Sequence, residues 1–338
     1  MGDGARRVLL IEPEPRVAEA AVMAGLETWS VRDVASGVGE GAGHVVGQSV
    51  RVGRQFAVDT GDLDALHALL VECGAVHGIE HIFYFGGSEV LHRAVERALP
   101  AVSPGRSEAL RRLSDPVVMR RVLEEGGAGP SSGEGLLVGP EVSVETLTCE
   151  GMHEVIGMTA LRSAAPVGVD LLYPAPLSEG DRIGVRATVR SLLDLVGYEW
   201  GPARTRVVLT SGGPRIASSR PRPSGHPVTR LMRVATGRDP ERDILAALVG
   251  KAPRRMERAE AGGTARFAAL AWVALPEGAA AGVAAHPRDV FPVPEGGARV
   301  GTDAGDLVGG RAVQVVVDGA TPDEVAERIA AVRRRWTG

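Results

Sequence analysis

Lysine, cysteine and aromatic side chains are scarce in this 338-residue chain, in which Phe, Trp and Tyr together make up 4%. Lys251 is its one lysine, so arginine carries nearly all of the fixed positive charge. Arginine holds carboxylates and phosphates through a planar fork, whereas lysine offers a compact point charge, so the two are not equivalent at a phosphate site. An anion site in this chain is therefore expected to depend on arginine.

The two cysteines and the short hydrophobic runs exclude several classes of protein. Cys73 and Cys149 form no Cys-x-x-Cys or Cys/His spacing, which argues against a zinc site and predicts two core thiols in a reducing compartment. The first apolar run ends at Glu12, and no run reaches the ~18 residues of a membrane span. We therefore expect a cytoplasmic protein without a membrane partner.

The bulk composition is that of a globular protein with a sizeable core. Hydrophobic residues make up 44% of the chain, and the formal net charge is -4. A mildly acidic chain has no overall field that would attract nucleic acid. We accordingly expect no nucleic-acid partner.

Strands and helices alternate through the first hundred residues. The pattern predicts strands at 7–11, 28–31, 55–58 and 81–85, and helices at 17–23, 62–73 and 89–98. Such alternation is typical of an open parallel α/β domain, which we place at residues 1–105. The glycine-rich stretch at 36–47 lacks the Gly-x-Gly-x-x-Gly spacing of a dinucleotide fingerprint and follows the second strand.

The rest of the chain has a different order of elements. Residues 108–125 have the pattern of one strong helix, and the breakers at 126–135 end it, so that 106–138 forms a linker helix and a truncated loop. Residues 139–338 are predicted to be a β-rich α+β unit. Its strands are expected at 142–149, 155–159, 167–172, 206–210, 215–218, 267–274 and 312–317, and its helices at 183–196, 229–235, 240–248 and 321–335.

Several short sequence segments, in the same order along the chain, resemble segments of the ATP-grasp carboxylate-amine ligases, including ligases that join amino acids. The segments are LSDPVVMR at 113–120, GPEVSVE at 139–145, PAPL at 174–177, GYEWGPA at 197–203, GPRI at 213–216, RPSGH at 222–226 and ATG at 235–237. The resemblance implies an ATP-grasp-like α/β fold with an N-terminal open α/β domain. It also implies a homodimer, or pairing with an active ligase.

The same resemblance implies that the parts that handle ATP have been lost. Residues 127–138 are too few for the first ATP-grasp subdomain, because a single strand already uses about five residues. The family's linker-helix lysine is replaced by Pro116, and its metal-ligand positions fall on Arg206, Ser218 and Arg220. Arginine repels Mg²⁺, which needs oxygen ligands, so we expect no metal and no nucleotide cofactor.

The arginines are the leading candidates for a ligand site. Alternate residues of a strand share a face, so Arg204 would point with Arg206, and Arg220 with Arg222. They form either an anion site or a solvated basic face. The resemblance adds a role near phosphate or substrate for Arg222. The complete candidate ligand-binding set is Arg204, Arg206, Arg215, Ser218, Arg220, Arg222, Ser224 and Gly225.

Catalytic candidates are fewer. Glu141, with Glu145 nearby, is either an acid or base or a structural residue of its strand. His226 is a base, a ligand contact, a helix cap or simply an exposed residue. Ser88 is an N-cap or an anion contact. His77, His81 and His92 form no metal motif and are expected at the surface.

The combined expectation is a degenerate ATP-grasp-fold protein of amino-acid or natural-product biosynthesis. It would bind a small anionic, carboxylate or amino-acid-like ligand without ATP or Mg²⁺. It would then act as an ATP-independent enzyme or as a noncatalytic partner of a ligase. The alternative is an active ATP-dependent carboxylate-amine ligase. Fold alone does not decide between them, because function depends on the site.

Overall fold

The computed structural model describes residues 6–36, 41–46, 50–86, 88–126, 137–162, 169–251, 266–274, 291–292, 299–301, 306–307 and 310–337. These residues form two β-sheets with helices packed on them. The loop predicted at 126–135 lies, apart from its first residue, outside the described residues. Within the described part of the chain, no helix combines the length and apolarity needed to cross a membrane.

The first sheet has five strands in the order β3-β4-β2-β1-β5. Its strands are β1 (Arg7–Ile11), β2 (Glu27–Asp33), β3 (Gly41–Val46), β4 (Val50–Val58) and β5 (His81–Tyr84). The pairs of β1 with β2, β1 with β5 and β2 with β4 are parallel, while β3 joins β4 antiparallel at the edge. The open parallel α/β architecture predicted for this part of the chain is therefore observed, with one added antiparallel strand.

Helices cover both faces of this sheet because β1 is apolar on both sides. Its helices are α1 (Pro15–Ala24), α2 (Leu63–His77) and α3 (Glu89–Val102). Leu9 and Ile11 pack with α2 and α3, whereas Val8 and Leu10 face the side of α1. Ser88 caps α3 by accepting the amide of Leu91 at 3.4 Å, which is the structural role considered for it.

The prediction of a single helix at 108–125 is wrong. Two helices cover this range: α4 (Ser107–Ser114) and α5 (Pro116–Glu125). Asp115 is extended between them, as a residue before proline prefers. Its carboxylate accepts the amides of Val117 and Val118 at 2.8 and 3.2 Å and so caps α5. Pro116 fits the first helical position, where no amide hydrogen is needed.

The second sheet is antiparallel, with strands in the order β10-β9-β6-β7-β8-β11-β15-β13-β12 and β14 beside β15. Its strands are β6 (Glu141–Cys149), β7 (Met152–Leu161), β8 (Leu171–Tyr173), β9 (Trp200–Thr210), β10 (Gly213–Arg220), β11 (Phe267–Ala274), β12 (Phe291–Pro292), β13 (Arg299–Gly301), β14 (Asp306–Leu307) and β15 (Gly310–Gly319). Its helices are α6 (Glu179–Val196), α7 (His226–Thr236), α8 (Pro240–Ala247) and α9 (Pro322–Thr337).

One face of the second sheet is a conventional core. Val142, Val144 and Val207 pack against Val189 and Leu193 of α6, and the same core extends to α4, α5 and α9. The other face is divided. Towards its centre, Leu147 and Ile156 join α1, α7 and α8 in a core shared with the first sheet, and at the strands β6, β9 and β10 it becomes polar.

Candidate functional site

A polar face on β6, β9 and β10 gathers most of the predicted site residues. Arg204 lies opposite Glu145 on one side and Arg220 on the other. Arg206 likewise lies between Ser143 and Ser218. Directly opposed residues of antiparallel strands share a face, as do alternate residues of one strand. The polar face consists of Glu141, Ser143, Glu145, Arg204, Arg206, Arg215, Ser218 and Arg220.

The position of Arg215 depends on a local irregularity. The pairing of β10 with β9 shifts register between Ile216 and Ser218, so that Arg215 lies opposite Val208 and Ser218 opposite Arg206. Val208 and Arg206 are two residues apart on β9 and share a face, so Arg215 joins the same side. The extra residue thus brings another guanidinium onto the polar face.

Two carboxylates, those of Glu141 and Glu145, accompany the four arginines of this face. Arg206, with 45% of its side chain exposed, forms an ion pair with Glu141. Arg204 Nε donates to Ser143 Oγ at 3.2 Å, and Ser143 Oγ donates to Glu145 Oε1 at 2.8 Å. The chain from the buried carboxylate through the hydroxyl to the guanidinium fixes the orientation of all three side chains. The result is a face of mixed charge in which arginines outnumber carboxylates.

Arg222 lies just past the end of β10 and reaches α3 of the first sheet. Its Nη2 contacts Glu89 Oε1 and Oε2 at 3.0 and 2.8 Å, and its Nε lies 2.7 Å from Glu96 Oε1. Arg220 Nη1 donates to the carbonyl of Ser114 at 2.6 Å and lies 3.9 Å from Glu96 Oε2. Glu96 therefore bridges the two arginines. We call Arg220, Arg222, Glu89 and Glu96 the arginine clasp.

The polar face and the clasp form one electrostatic cluster. Burial lowers the pKa of Arg204, and the charge of Glu145 opposes that shift. The charge of Arg222 also lowers this pKa, and the charge of Glu89 raises it. Burial raises the pKa of Glu96, and the neighbouring charge of Arg222 opposes that rise. Charges on three strands and on α3 are thus close enough to influence one another.

Ser224 and Gly225 lie where the segment after β10 meets the turn after β5. A Cβ on Gly225 would lie 2.6 Å from the carbonyl oxygen of Gly86, so only glycine allows this approach. His92 Nε2 is 3.0 Å from the same oxygen, and Ser224 is buried beside this contact. Burial, followed by the charge of Arg222, lowers the pKa of His92 to about 3, so His92 is neutral near pH 7.

The predicted surface placement of His81 and His92 is wrong, because both are buried. His81 packs near Trp200, and His92 near Tyr84, so aromatic surroundings stabilise the neutral imidazoles. Burial lowers the pKa of His81 to about 3 as well. His77 is half-buried and contacts Trp29 and Phe56. Of the two cysteines predicted as core thiols, Cys73 is buried and Cys149 is partly exposed.

The two catalytic candidates have different partners. Glu141 binds Arg206 on the polar face. His226 is the first residue of α7, and its Nε2 lies 3.2 Å from Glu14 Oε1 in the turn before α1. Glu14 is also bound by Arg16 at 2.8 Å. His226 therefore belongs to a contact between α7 and α1, while Glu141 belongs to the charged face.

Sequence patterns missed Glu89 and Glu96 as members of the site. They are seven residues apart on α3, which places both on one side of the helix. Glu96 also falls among the buried residues Val95 and Ala98, and a charged residue in such a stripe usually has an ionic partner. That partner, Arg222, lies far along the chain and is brought close by the fold.

Comparisons with known proteins give relatives by fold but not by sequence. No family model matches the chain, and no curated protein matches it. The L-amino acid ligase from Bacillus licheniformis is similar with a TM-score of 0.61 at 14% identity, covering 100% of this chain and 98% of that one. Phosphoribosylglycinamide synthetase from Anaerococcus prevotii gives 0.61 at 8% identity, covering 97% and 98%. Biotin carboxylase from Campylobacter jejuni gives 0.59 at 12%, covering 95% and 89%.

These neighbours are ATP-grasp ligases, and the chain has their fold. The α/β architecture that the sequence segments implied, with an open parallel sheet and an antiparallel sheet, is therefore confirmed. At such low identity the likeness carries the fold and not the activity.

Proposed function

We propose that this ATP-grasp-fold chain binds a small amino-acid-like ligand at the cluster of the polar face and the arginine clasp, without Mg²⁺ or ATP. The observation that carries the proposal is the mixed charge of the cluster, in which carboxylates on β6 lie beside guanidiniums on β9, with Glu145 opposite Arg204 and Glu141 paired with Arg206. A ligand carboxylate pairs with a guanidinium, and a ligand ammonium pairs with Glu141 or Glu145. A free amino acid presents both groups.

The residues at the family's metal positions do not fit Mg²⁺. Arg206 and Arg220 have no oxygen to offer a cation, and they are held by Glu141 and by the Ser114 carbonyl. Within the described ranges, no group of three or more His, Cys, Asp or Glu side chains is arranged to hold a metal ion. The donor chemistry of the cluster thus favours an organic ion over a metal-bound phosphate.

In this proposal the chain is a degenerate ligase of amino-acid or natural-product biosynthesis. It acts as an ATP-independent enzyme on an amino-acid-derived substrate, or as a noncatalytic partner that presents such a ligand to an active ligase. Both roles require the ligand site described above, and its occupancy is the first quantity to measure.

Thermal unfolding with candidate ligands tests the proposal. A ligand at one hundred times its Kd stabilises the folded state by about 2.7 kcal/mol, so binding appears as a higher Tm. We expect some L-amino acids to raise the Tm of the wild-type chain and Mg-ATP to leave it unchanged. Arg206→Ala should weaken that binding at least tenfold, because it removes the more exposed guanidinium of the polar face.

Arg266→Ala is the matched control. Arg266 is also an ion-paired arginine at the sheet surface, bound to Asp318 at 2.9 Å, with 53% of its side chain exposed. Its removal should leave ligand binding unchanged. Equal loss of binding in both variants would contradict a site on the polar face.

The second candidate function is an active ATP-dependent carboxylate-amine ligase. It is considered because the chain shares its fold with an L-amino acid ligase over 98% of that chain. Stabilisation by Mg-ATP, together with phosphate release when amino acids are added, would establish this alternative and remove the first.

A further inference from the structure

Arg222 is a buried guanidinium that binds two carboxylates of very different exposure. Glu96 has 8% of its side chain exposed, whereas Glu89 has 54% exposed. Glu89 is the first residue of α3, and both of its oxygens contact Nη2 of Arg222. One carboxylate is thus fixed in the interior, and the other reaches Arg222 from the surface.

We infer that the Glu89 carboxylate occupies the position that a ligand carboxylate takes on Arg222, and that ligand binding displaces it. The inference rests on the proposed function and specifies which part of the cluster receives the ligand carboxylate. Glu89 is then a built-in competitor that holds the site closed until a ligand replaces it.

Charge balance makes such an exchange feasible. The clasp contains two guanidiniums, Arg220 and Arg222, and two carboxylates, Glu89 and Glu96. Removing one carboxylate without replacement would leave a buried guanidinium short of a partner, which is costly in a low-dielectric interior. Exchange of Glu89 for another monoanionic carboxylate keeps the charge of the clasp unchanged.

The same balance selects the ligand class. A carboxylate brings one negative charge and two oxygens in a plane, matching the group it replaces. Inorganic phosphate near neutral pH brings more charge and a tetrahedral shape. The clasp therefore favours a carboxylate over phosphate, which agrees with an amino-acid-like ligand.

Within the described residues, the Glu89 side chain is held by its contacts with Arg222, so its displacement breaks one ion pair. Its backbone begins α3, where a carboxylate is moderately favoured by the helix dipole, and its side chain is more than half exposed. Rotation about its side-chain bonds moves the carboxylate into water, where it regains hydration. Glu96, enclosed between Arg220 and Arg222, has no such exit.

Chemical rescue of Glu89→Ala by acetate tests the inference. The truncated side chain leaves the outer carboxylate position of Arg222 open to solvent. We expect acetate to raise the Tm of Glu89→Ala saturably, with a Kd in the millimolar range, beyond its effect on wild type. Inorganic phosphate at matched ionic strength should be at least tenfold weaker.

Two controls separate rescue from a general salt effect. Glu108→Ala removes a glutamate with 54% side-chain exposure that pairs with Arg111 and Arg112, and it should show no saturable response to acetate. Glu89→Ala combined with Arg222→Gln should lose the rescue. If Glu89→Ala fails to fold, Glu89→Ser, which keeps a polar residue at the helix start, takes its place.

The outcomes distinguish this inference from the proposed function. If amino acids stabilise the wild-type chain but acetate does not rescue either Glu89 variant, the inference is wrong while the ligand site stands. If acetate rescues the variant but no amino acid binds the wild type, the outer position of Arg222 accepts a carboxylate, while the proposed ligand and its displacement of Glu89 are wrong. A response to acetate equal to that to phosphate would overturn the selectivity for carboxylate.

Discussion

Glu241 is a buried carboxylate that binds two arginines at once. Arg16 donates to it at 3.0 and 3.2 Å, and Arg233 donates at 2.7 Å. Burial would raise the pKa of Glu241, but the hydrogen bond from Arg16 and the other charged contacts hold it below its usual range. This contact joins α1 of the first sheet to α7 and α8 beside the second.

Glu241→Gln should lower the free energy of unfolding at pH 7 by about 3–5 kcal/mol, as breaking a buried ion pair usually does. Because the folded pKa is lowered, the stabilisation is present above the ordinary glutamate pKa and is lost as the pH falls through the folded value. The deficit of the variant should therefore shrink in acid. Urea unfolding at pH 7 measures the loss, and unfolding at a series of pH values below 4 measures how the deficit shrinks.

Glu108→Gln is the control, since Glu108 also binds two arginines, Arg111 and Arg112, at the surface. Exposed pairs contribute little, so its effect on unfolding should be much smaller. Comparable losses in the two variants would show that burial is not the cause.

The residues of the site were only partly predictable. Strand alternation correctly placed Arg204 with Arg206, because the period of a strand is fixed by local geometry. It gave no partners for them. Glu89 and Glu96 come from a helix more than a hundred residues earlier, and local patterns contain no information about such contacts.

The break between α4 and α5 is set by Asp115 and Pro116 acting together. Both flanking segments favour helix, so a hydrophobic pattern alone predicts one continuous element. Pro116 prevents continuation without destabilising α5, because it occupies the first helical position. The bend brings the carbonyl of Ser114 within 2.6 Å of Arg220 Nη1, so this local signal also shapes the clasp.

Asp115→Ala should reduce the free energy of unfolding by about 1 kcal/mol, because the first amides of α5 lose their side-chain acceptor. Asp115→Asn should retain most of the stability, since its carbonyl oxygen caps equally well. Chemical unfolding of the three proteins checks the order. Equal stability of Asp115→Ala and wild type would mean that water satisfies these amides.

Element prediction succeeded where burial determines the pattern. β1, α2 and β11 are apolar enough to be recognised from periodicity. β3 was missed because its stretch is rich in glycine and it is held by antiparallel pairing to β4 at the sheet edge. A strand held mainly by pairing with its neighbour does not need a regular hydrophobic pattern, so its sequence does not identify it.

The two sheets share one hydrophobic core, which bears on the predicted boundary at residue 105. Val8 and Leu10 of the first sheet pack in the same cluster as Leu231 of α7 and Leu270 of β11. The proposed ligand site also takes residues from both parts, through Glu89 and Arg222. The boundary was placed by the change in element order, and it remains a prediction about sequence organisation.

A shared core predicts that the two sheets unfold together. Leu231 is 0% exposed, so Leu231→Ala should cost about 2–5 kcal/mol and lower the unfolding midpoints of both sheets equally. Leu66 lies in a core built by the first sheet and its helices, so Leu66→Ala destabilises the first sheet directly. Hydrogen exchange measured by mass spectrometry in increasing urea reports β1 and β11 separately. If Leu66→Ala lowers the midpoint of β1 and leaves that of β11 unchanged, the sheets unfold as independent units and the prediction of joint unfolding is wrong.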